Sequence, residues 1–480
     1  MFPTPGWDGL PLPHTGTDFA WLLASLCIAY ALATLVYNAH LHPLAAYPGP
    51  LAARSTNLAY WLVTIRGDLL PWIQRIHARH GRVVRLGPNT LSYIDADAWR
   101  DIYGHRVGGR RYNPKDALVY QPDLNGRHAF SDRALREQQG LIVRFVDHLV
   151  ASVRRHAGER VDAVKLLTCT TFDIMGDLTF GEPLGLLERE EYSPWVAAMF
   201  SWMKAGDLSR IVLEYPVLGF LAKYLTPESL LEQQRMHFQY SADRVDRRIE
   251  RGSDQPDIWN LVLRQPEGKR LDRGDMHANG SVFMIAGTET TATLLSGLLY
   301  LLCKNPDKME MLCEEIRGNF KTDEEFTIES LQRLKYMSAC LEEALRFYPP
   351  LPIGPPREVH PDGSIICGKW VPGKTRLSVA QYAAYHSPEN FKDPDSFIPE
   401  RWFPGTGYDS DKKDAFQPFS FGPRNCLGKN LAYHEMRMIL AKLVWNFDFE
   451  LCPESEGWIR QKIWTLWSKP PLWLKATPLR

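Results

Sequence analysis

The chain has no excess of either charge, no paired cysteines and no low-complexity linker, and each absence removes a class of protein. Lysine plus arginine and aspartate plus glutamate both number 56 in 480 residues. That balance leaves no electrostatic footprint for nucleic acid or another polyanion. The eight cysteines, at 27, 169, 303, 313, 340, 367, 426 and 452, show no paired spacing, which argues against a disulfide framework or a zinc site and for a reducing compartment. No repeat, charge block or Ser/Gly-rich stretch divides the chain, so one large domain is expected, although length alone would allow about three. No glycine-rich fingerprint for a nicotinamide or flavin nucleotide is visible. Any redox chemistry here therefore takes its electrons from an external donor.

Basic residues are also missing from the amino-terminal stretch, where none precedes Arg54. Phe19 to Tyr37, "FAWLLASLCIAYALATLVY", is an uncharged apolar run, just long enough to span a bilayer as a helix. Arg54, Arg66, Arg75, Arg79 and Arg82 follow it, and the positive-inside rule then places the bulk of the chain on the cytosolic side. A cleaved signal peptide needs a basic segment ahead of its apolar run, and none is present. The expected division is a short lumenal terminus over 1–16, an anchor helix over 17–38, a proline-rich hinge over 39–50 and one domain over 51–480.

Within that domain, "RVVRLGPNTLSYI" (82–94) reads as two strands around a Gly-Pro-Asn turn, and 363–382 as a second β region. A helical period runs through 135–156, 190–206, 227–251, 275–304, 306–319, 328–347 and 428–446. The fold class expected is mainly α with small β-sheets (α+β), in which distant parts of the chain share a sheet.

Three segments hold residues that carry chemistry. "FSFGPRNCLGKN" (419–430) sets Cys426 between glycines, with Arg424 before it and a helix-forming run after it. A lone cysteine is ordinarily a small buried hydrophobe, but a nearby cation and a helix N-terminus both favour the thiolate. Gly422 and Gly428 are expected to clear the sulfur for a flat ligand. "AGTETT" (286–291) puts glycine and β-branched residues in mid-helix, where both are costly. "EEALR" places Glu343 and Arg346 at i and i+3, a pairing that is usually a solvated surface ion pair.

Phe419, Gly422, Arg424, Cys426 and Gly428 meet F-x-x-G-x-R-x-C-x-G in full, and here the chain resembles the cytochrome P450 family of haem-thiolate monooxygenases. The resemblance implies haem b (iron protoporphyrin IX), with Cys426 as the axial iron ligand, Phe419 and Gly428 beside the cofactor, and Arg424 and Arg357 on its propionates. It implies that Gly287 lets the helix open, and that Glu289 and Thr290 relay protons. Glu343, Arg346 and the Arg401 of "FIPERW" would form a buried structural cluster behind the cysteine loop. Phe283, Ala286, Leu351 and Ile353 fall in segments that line the family's pocket, and their apolar character suggests a lipophilic small-molecule substrate. Trp195, Met199, Phe200, Trp202 and Met203 form a stripe that is either plain core or the pocket's roof.

One expected element is missing. The family carries a helix with W-x-x-x-R or H-x-x-x-R ahead of "HAFSDRALREQQ"; here "YQPDLNGRHAFSD" (120–132) runs straight in, with Arg127 as the available substitute. The departure bears on haem retention and not on fold. Stretches such as "HPLAAYPGPLAARS" look like the filamentous-fungal branch that tailors terpenoid, polyketide or mycotoxin secondary metabolites. The resemblance further implies O2 as co-substrate, an NADPH-cytochrome P450 reductase as partner, no nucleic acid, a monomer, and a single-pass endoplasmic reticulum location. Lys412, Lys413 and Lys429 flank the cysteine loop, as a solvated face or as a contact for an acidic partner. Hydroxylation or epoxidation is the expected reaction. Desaturation or coupling by the same oxidant, and a non-catalytic haem-binding remnant, are the alternatives.

Overall fold

The computed structural model describes residues 15–105, 113–115, 132–193, 195–197, 199, 211, 214–215, 228–252, 257–263 and 271–480. The amino-terminal helix runs Gly16–Val36 and continues through a wider turn, Tyr37–Leu41. It begins on a capping box in which Thr15 accepts from the Asp18 N–H and the Asp18 carboxylate accepts from the Thr15 N–H, so two orphan donors are satisfied. No residue of Gly16–Val36 is buried. The 26 residues to Leu41 reach about 39 Å, more than the ~30 Å of bilayer hydrocarbon. An apolar helix with no protein around it suits lipid, and it fits a membrane anchor. Below it the chain turns a tied corner. Arg54 Nη2 donates to the carbonyls of Ala39 at 2.7 Å and Ala45 at 2.8 Å, and Asn38 Nδ2 donates to the Ser55 carbonyl at 2.9 Å.

The expected sharing of one sheet by distant segments is observed. Val83–Gly87 pairs antiparallel with Thr90–Tyr93, which pairs in parallel with Arg376–Val379, with Leu91 opposite Leu377. Arg357–Glu358 closes this sheet. The β region at 363–382 divides: Ser364–Ile366 and Lys369–Val371 form their own hairpin, and only Arg376–Val379 joins the larger sheet. A further sheet joins Arg160–Asp162, Trp473–Pro478 and Phe447–Leu451.

Helices Asp132–Arg155, Glu228–Arg251, Arg273–Lys304, Pro306–Asn319 and Lys429–Asn446 lie where their periodicity placed them. The period over 328–347 is two helices, Ile328–Gln332 and Lys335–Phe347. The first is capped by Thr327, whose Oγ1 accepts from the Ser330 N–H at 3.1 Å. Periodicity misses Leu58–Arg66 and Leu69–His80, and also the longer Ala163–Phe180, which is buried at every residue but Lys165. A helix buried all round has no polar stripe, and its four threonines lower the propensity further. It packs along Arg273–Lys304 to make the centre of the core. Trp195 and Met199 are buried in that core. Phe200, Trp202, Met203, Arg127 and the stretch 116–131 lie outside the described residues.

Glu343, Arg346 and Arg401 are fully buried together. Arg346 donates to Glu343 through Nε and Nη2 at 3.0 and 2.8 Å, and Arg401 Nε donates to Glu343 Oε1 at 3.0 Å. A fourth member, Asp411, accepts from Arg401 Nη1 at 2.6 Å and brings the cluster to charge balance. Trp402 Nε1 also donates to Glu343 Oε2 at 3.1 Å, and the arginines' other hydrogen bonds go to backbone: Arg346 to the carbonyls of Tyr385, Pro394 and Ser396, and Arg401 to those of Lys392 and Asp393. Replacing Arg401 with leucine strands Asp411 and removes half of the answer to Glu343. The expected loss in a urea titration followed by tryptophan fluorescence is about 3–5 kcal/mol.

Candidate active site

The cysteine loop is closed by the Cys426 N–H, which donates to the Phe419 carbonyl at 2.8 Å, after one 3-10 turn at Gly422–Arg424. Its two glycines have different jobs. Gly422 sits at φ +77°, and a Cβ there would lie 2.1 Å from the Tyr103 carbonyl oxygen. Its missing side chain seats the loop on the Tyr103–Gly104 backbone, so the expectation that it clears the sulfur is corrected. Gly428 does face open space: a Cβ there meets nothing within 4 Å. Helix Lys429–Asn446 starts directly behind it.

Cys426 opens onto a cavity of about 320 Å³, measured as the space open to the centres of water-sized spheres. Protein packs around the sulfur on its other sides, and this burial pushes the thiol pKa above its ordinary value. The Gly428 N–H and the Lys429 charge pull the other way, and burial prevails. Lys429 is a nearby cation that acts on the sulfur in the expected direction.

The long helix Arg273–Lys304 lines the same cavity through Phe283, Ala286, Gly287, Thr290 and Thr291. The helix runs unbroken through "AGTETT". Gly287 is there for packing: a Cβ would meet the Met175 sulfur at 2.6 Å, so the glycine admits the buried helix Ala163–Phe180. Thr290 Oγ1 donates to the Ala286 carbonyl at 2.7 Å, which leaves the oxygen's acceptor capacity toward the cavity. Glu289 is turned away from the lining. It is buried in an ion pair with Lys469, whose Nζ also donates to Thr293 Oγ1 at 2.6 Å.

The proline-rich segment adds Pro350, Leu351 and Pro355, and the cysteine loop adds Pro418, Phe419, Ser420, Arg424 and Leu427. Ile353 lies elsewhere, in a small crevice with Trp61, Glu214 and Arg376. Arg357 is buried behind the lining, its guanidinium 5.5 Å from the Tyr103 ring centre. Tyr103 in turn donates from Oη to the carbonyl of Pro355 at 2.8 Å. Lys412, Lys413 and Lys429 are exposed. Sequence reasoning missed Met175, Gln381, Glu435, Lys469 and Asp411. Glu435 had a detectable signal, since it lies on the Gly428–Ala432–Glu435 stripe of its helix.

A thiol, open space over Gly428, small residues of the long helix and the Arg424 side chain share one cavity with little polar lining. These residues fit a flat metal macrocycle held through one sulfur. Among the described residues no group of three His, Cys, Asp or Glu side chains forms a metal site.

The cytochrome P450 family model matches residues 127–475. A cytochrome P450 monooxygenase of Gibberella moniliformis, FUM2, is 49% identical, with 93% of this chain and 100% of the relative covered. One from Alternaria alternata, AMT3, is 43% identical over 92% of this chain and 95% of the relative. A third, efuB of Hormonema carpetanum, is 42% identical over 93% and 94%.

Replacing Lys469 with methionine leaves Glu289 buried without a counter-charge. The expected outcome is a fall in unfolding free energy of about 3–5 kcal/mol, read by urea titration, with partial recovery in the K469M/E289Q double variant.

Proposed function

This chain belongs to the cytochrome P450 family and is a monooxygenase, and from that premise we propose that it inserts one oxygen atom of O2 into a lipophilic small molecule of fungal secondary metabolism. The family brings a haem iron, O2 and an electron-donating reductase to the reaction. We assign haem b to the slot, with Cys426 Sγ as the protein's single iron ligand, Phe419 and Gly428 along the cofactor, and Arg424 and Arg357 as the candidates for its carboxylates. Haem bound through a thiolate supplies the activation of dioxygen. The observation that carries this assignment is that Cys426 lines the same cavity as Ala286, Gly287 and Thr290 of the long helix.

The chain's own residues supply binding, exclusion of water and proton handling. Phe283, Ala286, Leu351, Leu345 and Leu431 offer a lipophilic molecule an apolar enclosure, which removes water from the reacting region and strengthens every polar interaction left inside. Thr290 Oγ1 lines the cavity with its proton on the Ala286 carbonyl, so it accepts from the cavity side and passes a proton on only by turning from that carbonyl. Glu289 reaches that hydroxyl only when its carboxylate leaves Lys469, so the proton-relay role assigned to it requires that ion pair to open. Ile353 belongs to the crevice beside Trp61.

We propose a single-pass protein of the endoplasmic reticulum membrane that acts as a monomer, and the basic residues after the amino-terminal helix support a cytosolic domain. Electrons come from a diflavin reductase using NADPH, and the exposed Lys412, Lys413 and Lys429 suit an acidic partner.

Comparing metabolites of a fungal host with and without this chain, in the presence of a reductase, tests the reaction. A product heavier by one oxygen atom supports insertion, and loss of two hydrogens supports desaturation instead. Cys426→Ala is expected to abolish the red-shifted carbon monoxide band of thiolate-bound haem, and survival of that band refutes the ligand. Removing residues 1–41 is expected to shift the protein from the membrane pellet to the supernatant. Retention in the pellet means that the domain's own surface suffices.

A further inference from the structure

We propose that Gln381 and Ser420 form a polar subsite of the cavity that takes a neutral O–H group, one that donates to Gln381 Oε1 and accepts from Ser420 Oγ. That the macrocycle held by Cys426 is haem rests on the reading above; the two polar atoms and the carbonyl that joins their residues do not.

Gln381 is 2% exposed and lines the same cavity as Cys426, and Ser420 lines it from the cysteine loop. Both residues are built onto one backbone group. The Gln417 carbonyl accepts from Gln381 Nε2 at 3.0 Å and from the Ser420 N–H at 2.9 Å. Behind them the buried Tyr385 accepts at Oη from the Gln417 N–H at 3.0 Å, and the same oxygen lies 3.5 Å from Gln381 Nε2. The subsite therefore has a fixed floor.

The other ends of the two side chains are unanswered. Gln381 Oε1 and Ser420 Oγ are both buried without a hydrogen-bond partner in the structure. Turning the Gln381 amide over does not cure this, because Oε1 would then meet the Gln417 carbonyl, acceptor against acceptor. A buried polar atom without a partner is costly, and such atoms are few in folded proteins. Two of them, joined through one carbonyl in a mainly apolar lining, point to a group that the chain does not itself supply. Ser420 also holds φ at +63°, a conformation that glycine adopts without strain, so its side chain is kept there against the backbone's preference.

The chemistry of the pair selects the ligand. An amide oxygen only accepts, so the ligand must donate; a hydroxyl does both. An ionised carboxylate only accepts and would set its charge against Oε1. An ammonium could donate to Oε1 but gives the Ser420 proton no acceptor. An alcohol or an un-ionised carboxyl group answers both atoms. Either a carboxyl of the macrocycle or an alcohol on a lipophilic substrate can supply it. Ser420 adjoins Phe419, whose carbonyl accepts from the Cys426 N–H at 2.8 Å, and this closeness to the iron-binding loop favours the macrocycle. Arg424 and Arg357 then serve its other, ionised carboxylate.

The test uses the full chain in detergent and two variants, Gln381→Met and Ser420→Ala. Release of haem to excess apomyoglobin reads the hold on the macrocycle. Calorimetric titration with 1-decanol and with its methyl ether, which has no O–H to give, reads the hold on an alcohol and needs no haem. Haem is expected to leave both variants about fivefold to tenfold faster than the wild type, the worth of one buried hydrogen bond. Haem dimethyl ester, which lacks the O–H, is expected to leave all three proteins at one rate. If substrate is the source, haem release is unchanged, and a wild-type preference for decanol over its ether falls about fivefold to tenfold in both variants; either pattern supports the subsite. Unchanged release together with an unchanged preference overturns it. So does a variant that speeds release of the dimethyl ester as much as that of haem, since Gln381 and Ser420 then act by packing alone. If Q381M does not fold, S420A decides, because it keeps the tie between Gln381 and Gln417. If the wild type binds no haem, the oxygenase reading fails while the decanol preference still decides the subsite.

Discussion

Two guanidinium groups buried without water are the constraint on which the rest of the architecture depends. Arg346 and Arg401 have no exposure, and a buried guanidinium must find both counter-charge and acceptors for its five N–H groups. Glu343 and Asp411 provide the charge, and the carbonyls of five residues between Tyr385 and Ser396 provide acceptors. The consequence is long-range. An irregular segment with little regular hydrogen bonding of its own is fixed onto helix Lys335–Phe347. Trp99 donates to the carbonyl of Ala415 at 3.0 Å and extends the hold toward the cysteine loop. Through Asp411, four residues before Ala415, the buried charges help to hold the segment that leads into the loop presenting Cys426.

The cavity is organised by a similar economy of charge. Of the two acids near its centre, Glu289 is paired with a lysine and faces out of the lining, while Glu435 faces in without a cation. Thr290 and Thr291 present hydroxyls between them. The arrangement separates the ionised carboxylate from the sulfur and leaves the interior wall polar in only a few places. Close approach of the two central helices requires the same discipline of shape, since at Gly287 the Met175 sulfur occupies the space that a side chain would need.

Much of this was legible in the chain. The anchor, the shared sheet and the amphipathic helices follow from apolar runs and periods of two and 3.6, and the loop around Cys426 identified the family. What was not legible has physical reasons. Helix Ala163–Phe180 is buried on all faces and so carries no period to detect. Asp411 sits in "DSDKKD", which reads as a solvated run, and only the tertiary fold brings it to Arg401. Lys469 reaches Glu289 across most of a domain's length of sequence. Glycine was the residue most easily misread: Gly422, Gly287 and Gly428 look alike in a string, yet the first two yield space to neighbouring protein and the third opens onto the cavity.

The corner at Arg54 gives the membrane a geometric role. With its guanidinium stapled to Ala39 and Ala45, the corner resists swivelling between the apolar helix and the body. Were that helix seated in lipid as proposed, the corner would bias which flank of the body faces the bilayer.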